Sequence, residues 1–353
     1  MGAEITASVS VHSYKMTPGV KSEVSQMRVL MVGLGSIGKR HLRNLQLLGQ
    51  TEFHALRSGN GTCPVEGGIE LRSHLDLDRA LAHRPDLTVI ANPTSLHVPL
   101  ALAAAEAGCH LFLEKPVSNS DAGVERLERE VRQRGLVAAV GYNLRFHPVL
   151  ESLREMVLNR TVGEILCARA SVGKYLPDWH PNEDYRKGYM ASAELGGGVI
   201  LTLSHEFDSL FWLFGKVAEV TAVKSRARNL DMPTESLAEV TLMFRSGVVG
   251  QVHLDCVRRT PQRSYELIGT EGTILANINE STVRITRPSS GDQLIEIPRA
   301  EPNQMYVDEM VDLLDAIRRG RQARVPLEDG VSVLKIALAA HHSAETVTRQ
   351  VLA

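Results

Sequence analysis

The stretch Arg28-Val-Leu-Met-Val32 followed by Gly33-Leu-Gly35-Ser36-Ile37-Gly38 decides the fold. A short apolar run ends at glycines and a helical pattern continues to about Leu48, so the segment reads as strand, tight turn and helix. A G-x-G-x-x-G in that setting lets a pyrophosphate approach the backbone and rest on the helix N-terminus. Gly33, Gly35, Ser36, Ile37 and Gly38 are therefore candidate dinucleotide contacts. Outward from this unit the alternation continues, with apolar strands over 53–56, 87–91, 110–113 and 136–140 and helices over 76–83, 97–107 and 121–134. Brief apolar strands separated by helices predict a doubly wound parallel sheet, an N-terminal Rossmann domain over residues 27–145.

Beyond Arg145 the rhythm changes. A helix over 149–158 is followed by a polar stretch holding Pro177 and Pro181, then a strongly patterned helix after Gly198. Strands over 236–244 and 248–257 are joined by Arg245-Ser-Gly247, and strands over 265–268 and 273–276 flank Gly269-Thr-Glu-Gly272. Consecutive strands with tight turns predict a mostly antiparallel sheet, and helices over 307–318 and 330–349 complete a C-terminal α/β domain spanning 146–353. Residues 1–26 show no sustained period and read as a disordered leader.

Composition sets the outer bounds. The chain has 353 residues, enough for two domains, with 39 Lys+Arg against 41 Asp+Glu and a formal charge of −2, which leaves no basic surplus for nucleic acid. Cys63, Cys109, Cys167 and Cys256 are scattered, so neither a disulfide framework nor a zinc knuckle is expected, no metal is expected, and a cytoplasmic location fits best. No apolar run reaches membrane-spanning length, so no membrane partner is expected. The second strand ends Leu56-Arg57-Ser58 without the acidic residue that commonly binds the ribose hydroxyls of NAD. Arg57 and Ser58 suit a 2′-phosphate, which favours NADP(H) with NAD(H) as the alternative; Arg57 also fits a solvated surface charge.

Further landmarks are Asn92-Pro-Thr-Ser-Leu-His97, Glu114-Lys115-Pro116, Gly141-Tyr-Asn-Leu-Arg-Phe146, the Gly196-Gly-Gly198 helix and Gly269-Thr-Glu-Gly272. Together these resemble the glucose-fructose oxidoreductase, inositol dehydrogenase and MocA family, from Met27 nearly to the C-terminus. The resemblance implies a second domain with an open sheet that builds homodimers or homotetramers. It also implies hydride transfer between NAD(P) and a carbon of a sugar, sugar derivative or cyclitol. It assigns Lys115 as catalytic and as a cofactor contact, Asn92, Thr94 and Glu114 to the ribose or nicotinamide, and Asn143 as a cofactor contact on the segment running from the sixth strand toward the substrate pocket, with a cis bond before Pro116. His97 reads as structural or cofactor-proximal.

The residues themselves support part of this. Lys115 ends a parallel strand, the edge where α/β sheets bind ligands, and an ammonium there can stabilise an alkoxide. On the helix after Gly198, Val199, Leu203, Phe207, Leu210 and Phe214 form an apolar stripe, and Thr202, His205, Glu206 and Ser209 fall on another. The family pattern has an Asp, a His four residues later and an Asp three beyond. Alignment from the glycines puts Thr202 and Glu206 at the first two positions, whereas His205-Glu-Phe-Asp208 keeps the His-x-x-Asp end at the cost of one deletion. His205 is favoured as the base because an imidazole suits proton transfer near neutrality, with Glu206 competing and Thr202 lining the substrate site. Arg145 fits a substrate carboxylate or phosphate and equally an interdomain salt bridge. Trp179, Asp184 and Tyr185, with Arg186, stand on a loop where aromatic and polar groups could hold a sugar, or form a local core. The rival reading is a non-catalytic NAD(P)-binding regulator of the same fold.

Overall fold

A computed structural model gives the fold and describes residues 26–57 and 70–352. The expected leader, apart from Gln26, and Ser58 lie outside the described residues. The first half comprises β1 (Arg28–Val32), α1 (Ser36–Leu47), β2 (Glu52–Leu56), β3 (Leu71–His74), α2 (Leu77–Leu81), β4 (Leu87–Ile90), α3 (His97–Glu106), β5 (His110–Leu113), α4 (Val124–Gln133) and β6 (Ala138–Val140). Its six strands run parallel in the order β3-β2-β1-β4-β5-β6, the doubly wound order whose switch point lies between β1 and β4. Central strands are buried on both faces: Val29, Leu30 and Met31 of β1 are fully enclosed. Strand β3, Leu71-Arg-Ser-His74, shows no apolar run because it is the half-exposed edge of this sheet.

The second half adds α5 (Pro148–Leu158), β7 (Ile165–Gly173), α6 (Val199–Thr202), α7 (His205–Phe214), β8 (Val217–Ser225), β9 (Leu237–Phe244), β10 (Val249–Asp255), β11 (Gln262–Gly269), β12 (Thr273–Asn277), β13 (Thr282–Arg287), β14 (Gly291–Glu296), α8 (Gln304–Arg319), α9 (Leu327–Thr346) and β15 (Gln350–Val351). Its nine strands are ordered β14-β13-β12-β11-β7-β10-β9-β8-β15, antiparallel except where β10 meets β7. Alternation sets the buried face: Ala238, Val240, Leu242 and Phe244 of β9 point to the core, whereas Glu239, Thr241 and Met243 point away.

Two features depart from the sequence expectation. The helix after Gly198 is not continuous, since α6 ends at Thr202 and α7 begins at His205. Its apolar stripe is buried from Val199 to Leu210 and half-buried at Phe214, but Thr202, Glu206 and Ser209 are buried too, because the two helices are covered on more than one side. The division at residue 145 also leaves α8 with the second domain, whereas Met310, Leu313 and Ala316 of α8 share one core with Val29, Met31 and Leu42 of the Rossmann sheet and α1.

Candidate active site

The site starts from the glycines. Gly33 has φ +91°, and a Cβ there would stand 2.8 Å from the Ala91 carbonyl and the Asn92 nitrogen, so the turn after β1 closes against the end of β4 only without a side chain. A Cβ on Gly38 would lie 2.2 Å from the Gly33 carbonyl oxygen, which brings α1 tight against the turn. Gly35 is the reverse: nothing lies within 4 Å of its absent side chain. Helix α1 opens there with Ser36 and Ile37, without a capping side chain or an acidic residue in its first turn. Unclaimed N–H donors facing open space are what a pyrophosphate needs, so the residues fit a dinucleotide. Arg57 follows the carboxyl end of β2, its backbone N–H donating to the His74 carbonyl at 2.9 Å.

The loops after β4 and β5 complete this edge. Asn92 Oδ1 is buried without a hydrogen-bond partner, a group a ligand could satisfy. Thr94 is buried, and the Cβ position of Gly196 lies 3.1 Å from its Cβ, so the glycine-rich turn of the second domain meets the nucleotide domain here. Of the two readings of His97, structural or cofactor-proximal, the structural one accounts for its contacts. It is 1% exposed, with Nδ1 3.0 Å from the Pro116 carbonyl and Nε2 2.8 Å from the Asn92 carbonyl, so both ring nitrogens are engaged in tying two loops together. The Lys115–Pro116 peptide that it braces is cis. Asn143 is buried, close to Tyr306 of α8.

Glu114 and Lys115 are held from both sides. Glu114 Oε1 lies 2.6 Å from His41 Nε2, and Oε2 accepts the Lys115 backbone N–H at 3.2 Å. Burial pushes the Glu114 carboxyl up, but His41, by hydrogen bond and charge, and then Lys115 outweigh it and hold it below its usual range. Behind His41 stands Glu309 of α8, 3.9 Å from Nδ1, whose buried carboxyl is raised well above its usual range by burial and by Glu114. The Lys115 ammonium donates to the Thr202 carbonyl at 2.6 Å, which couples β5 to the end of α6. Burial lowers its pKa, with Glu114 opposing that shift and Arg263 adding to it.

On α7, the His205 ring stands edge-on to Tyr142 with centroids 5.6 Å apart. Its Nδ1 is buried without a hydrogen-bond partner. Burial and the cations of Lys115 and Arg263 hold its pKa well below the usual 6.5, so the ring is neutral at neutral pH. Glu206 does not share this position. It is fully buried, 2.8 Å from Arg263 Nε and 3.4 Å from the Tyr265 hydroxyl, which makes it a core counter-ion. Thr202 is buried and offers its carbonyl to Lys115, while its own hydroxyl is buried without a hydrogen-bond partner.

The remaining substrate expectations resolve as structure. Arg145 is 2% exposed and spends its donors on Asp208 of α7, Asp329 of α9 and the Arg324 carbonyl, so of its two readings the buried salt bridge holds. Trp179 Nε1 donates to the Lys174 carbonyl and its ring packs on the core. Asp184 pairs with Arg186 at 2.8 Å, and the Tyr185 hydroxyl accepts the Asp231 N–H. Trp179 and Tyr185 thus pack, partly buried, against the core, whereas Asp184 stays at the surface with Arg186. His41, Arg263 and Glu309 were missed by sequence reasoning; only the His41 position, one helical turn beyond Gly38, carried a sequence signal.

The chain is similar to known proteins over most of its length. Residues 27–142 match an oxidoreductase family model described as an NAD-binding Rossmann fold, and residues 150–275 match the GFO/IDH/MocA C-terminal domain. A myo-inositol 2-dehydrogenase of Thermotoga maritima is 28% identical over 343 residues, covering 90% of this chain and 96% of that protein. A scyllo-inositol 2-dehydrogenase (NAD(+)) of Bacillus subtilis is 25% identical over 342 residues, covering 90% and 94%. Among solved structures, a levoglucosan dehydrogenase in complex with NADH superposes with TM-score 0.82 at 20% identity, covering 93% of this chain and 99% of that one, a likeness of fold.

Proposed function

The chain belongs to the GFO/IDH/MocA family of NAD-binding oxidoreductases, and on that premise we propose that it oxidises a secondary hydroxyl, or reduces the matching carbonyl, of a sugar, sugar derivative or cyclitol. The observation that carries the reading is the Lys115 ammonium on the Thr202 carbonyl, with its charge felt by the neutral ring of His205, on the domain whose glycine turn is left open at Gly35. A bound nicotinamide supplies the hydride acceptor in oxidation and the donor in reduction. The chain supplies the proton and charge chemistry: His205 Nε2 takes the hydroxyl proton, and Lys115 stabilises the oxygen as negative charge develops. In reduction the same proton returns from His205. The test is turnover on a panel containing myo-inositol, scyllo-inositol and levoglucosan with either dinucleotide; absence of turnover on every polyol, together with absence of nicotinamide binding, overturns it.

The pH profile follows from the signs of the two shifts. His205 must be neutral to accept a proton, and its pKa lies below 6.5; Lys115 must stay protonated, and its pKa lies below the usual 10.5. Oxidation by kcat/KM is therefore expected to fall on the acid side only below pH 6.5 and on the alkaline side before pH 10.5. His205→Asn should abolish the acid limb and leave the alkaline one; an acid limb that persists in the variant removes His205 as the base.

NADP(H) is the cofactor we favour within this reading, supported by Arg57 at the end of β2 where no acidic side chain stands. The family description and the NADH complex of the structural neighbour support NAD(H). Titration of both reduced dinucleotides decides: Arg57→Ala should weaken NADPH by about tenfold, roughly 1.4 kcal/mol, and leave NADH unchanged. Equal or tighter NADH binding in the parent protein overturns the NADP choice without touching hydride transfer. Unpaired Cys109, Cys167 and Cys256 support a reducing, cytoplasmic setting, and among the described residues no helix is long and apolar enough to cross a membrane. Leu166, Met243 and Leu275, exposed on the outer face of the nine-stranded sheet, support a second copy of the chain as the partner of that face.

A further inference from the structure

Away from this site, three histidines converge on one face of the Rossmann sheet near its edge. His54 is buried in β2, His74 ends β3, and His83 follows α2 and is exposed. The strand register sets Leu56 opposite His74 and Arg72 opposite His54, so His54 and His74 are diagonal neighbours on the same face. Their rings stack with centroids 5.3 Å apart, and His83 closes the triangle at 4.6 Å from His54 and 5.0 Å from His74. One ring nitrogen from each lies within 4.8 Å of the others, and His54 Nδ1 is 3.0 Å from His74 Nε2.

We propose that His54, His74 and His83 bind one divalent transition-metal ion, with zinc as the ion their geometry suits. Three arguments carry this. Zn–N bonds of about 2.0–2.1 Å in a tetrahedron set ligand nitrogens roughly 3.3 Å apart, and the His54–His74 pair already stands at 3.0 Å. Exposed His83 is free to close the remaining distance and to admit the ion, leaving a fourth position for water. The far nitrogen of His54, Nε2, is buried without a hydrogen-bond partner 3.7 Å from Glu52 Oε1, the arrangement in which a ligating imidazole hands its other N–H to a carboxylate.

The test uses untagged full-length protein stripped with a chelator and titrated with zinc against a chromophoric competitor. One equivalent of zinc should bind and raise the thermal midpoint, magnesium should do neither, and cobalt(II) should give the visible absorption of a four-coordinate nitrogen site. Exposed His83→Ala, and independently His74→Ala, should each weaken zinc at least tenfold, whereas exposed His180→Ala leaves it unchanged. Substoichiometric zinc in the parent protein, or affinity equal to the parent's in both ligand variants, would overturn the site. Because the readout is metal binding, failure here leaves the hydride-transfer reading intact.

Discussion

Lys115→Met is expected to lower kcat by about 10²–10³, the cost of removing one preorganised donor aimed at a developing oxyanion, while nicotinamide affinity stays within about threefold. Methionine keeps the length and apolar stem of lysine, and the backbone here is fixed independently of the ammonium. The Glu114 N–H donates to the Ile90 carbonyl at 2.8 Å, and the Gly141 N–H donates to the Leu113 carbonyl at 2.8 Å. What disappears is the charge and the bond to Thr202. Stopped-flow or initial-rate kinetics on the best polyol of the panel, beside fluorescence titration of the dinucleotide, separates the two quantities. A variant that turns over within threefold of the parent removes Lys115 from the chemistry, and one that loses the dinucleotide as well makes it a cofactor contact.

The sequence was most legible where chemistry repeats locally. The strand, glycine turn and helix from Arg28 to Leu47, the alternation of β9, and Lys115 at a strand end are all readable from neighbours in the chain. His205 was readable as an imidazole on a helix, but its low pKa was not, because it arises from Lys115 and Arg263 on other elements. Glu206 was readable as a carboxylate on the polar stripe, but its partners were not, because Arg263 and Tyr265 are brought against it by β11. The partners of Glu114 come from α1 and α8, far apart in sequence, so its environment has no local signature. The histidines at 54, 74 and 83 have no motif spacing and meet only through the β2–β3 register and the turn after α2, which is why a survey of cysteines alone predicted no metal.

Breaking the ion pair between Arg145 and Asp208 is expected to cost the fold about 3–5 kcal/mol, the range for removing one partner of a buried pair and stranding the other. The geometry is close to ideal. Arg145 Nε lies 3.1 Å from both carboxylate oxygens of Asp208 and Nη2 lies 2.6 Å from one of them, with side-chain exposures of 2% and 0%. Arg145 Nη1 reaches Asp329 at 2.7 Å, so one guanidinium joins the segment after β6 to α7 and α9, and these two carboxylates hold it charged against the desolvation of burial. Asp208→Ala leaves that cation half-neutralised in the core and should show the full loss in denaturant unfolding. The double variant Arg145→Met, Asp208→Leu should recover part of it, since two apolar groups leave no buried charge unpaired. A single-variant loss under about 1 kcal/mol, or a double variant as costly as the sum of the singles, means the pair is not coupled in this way. Asp208 also sits one helical turn beyond His205 on α7, so the same anchor that closes the two halves of the chain fixes the direction of the proposed base. In the proposed mechanism the His-x-x-Asp spacing divides the labour: His205 exchanges the proton, and Asp208, paired with Arg145, holds the helix that carries it.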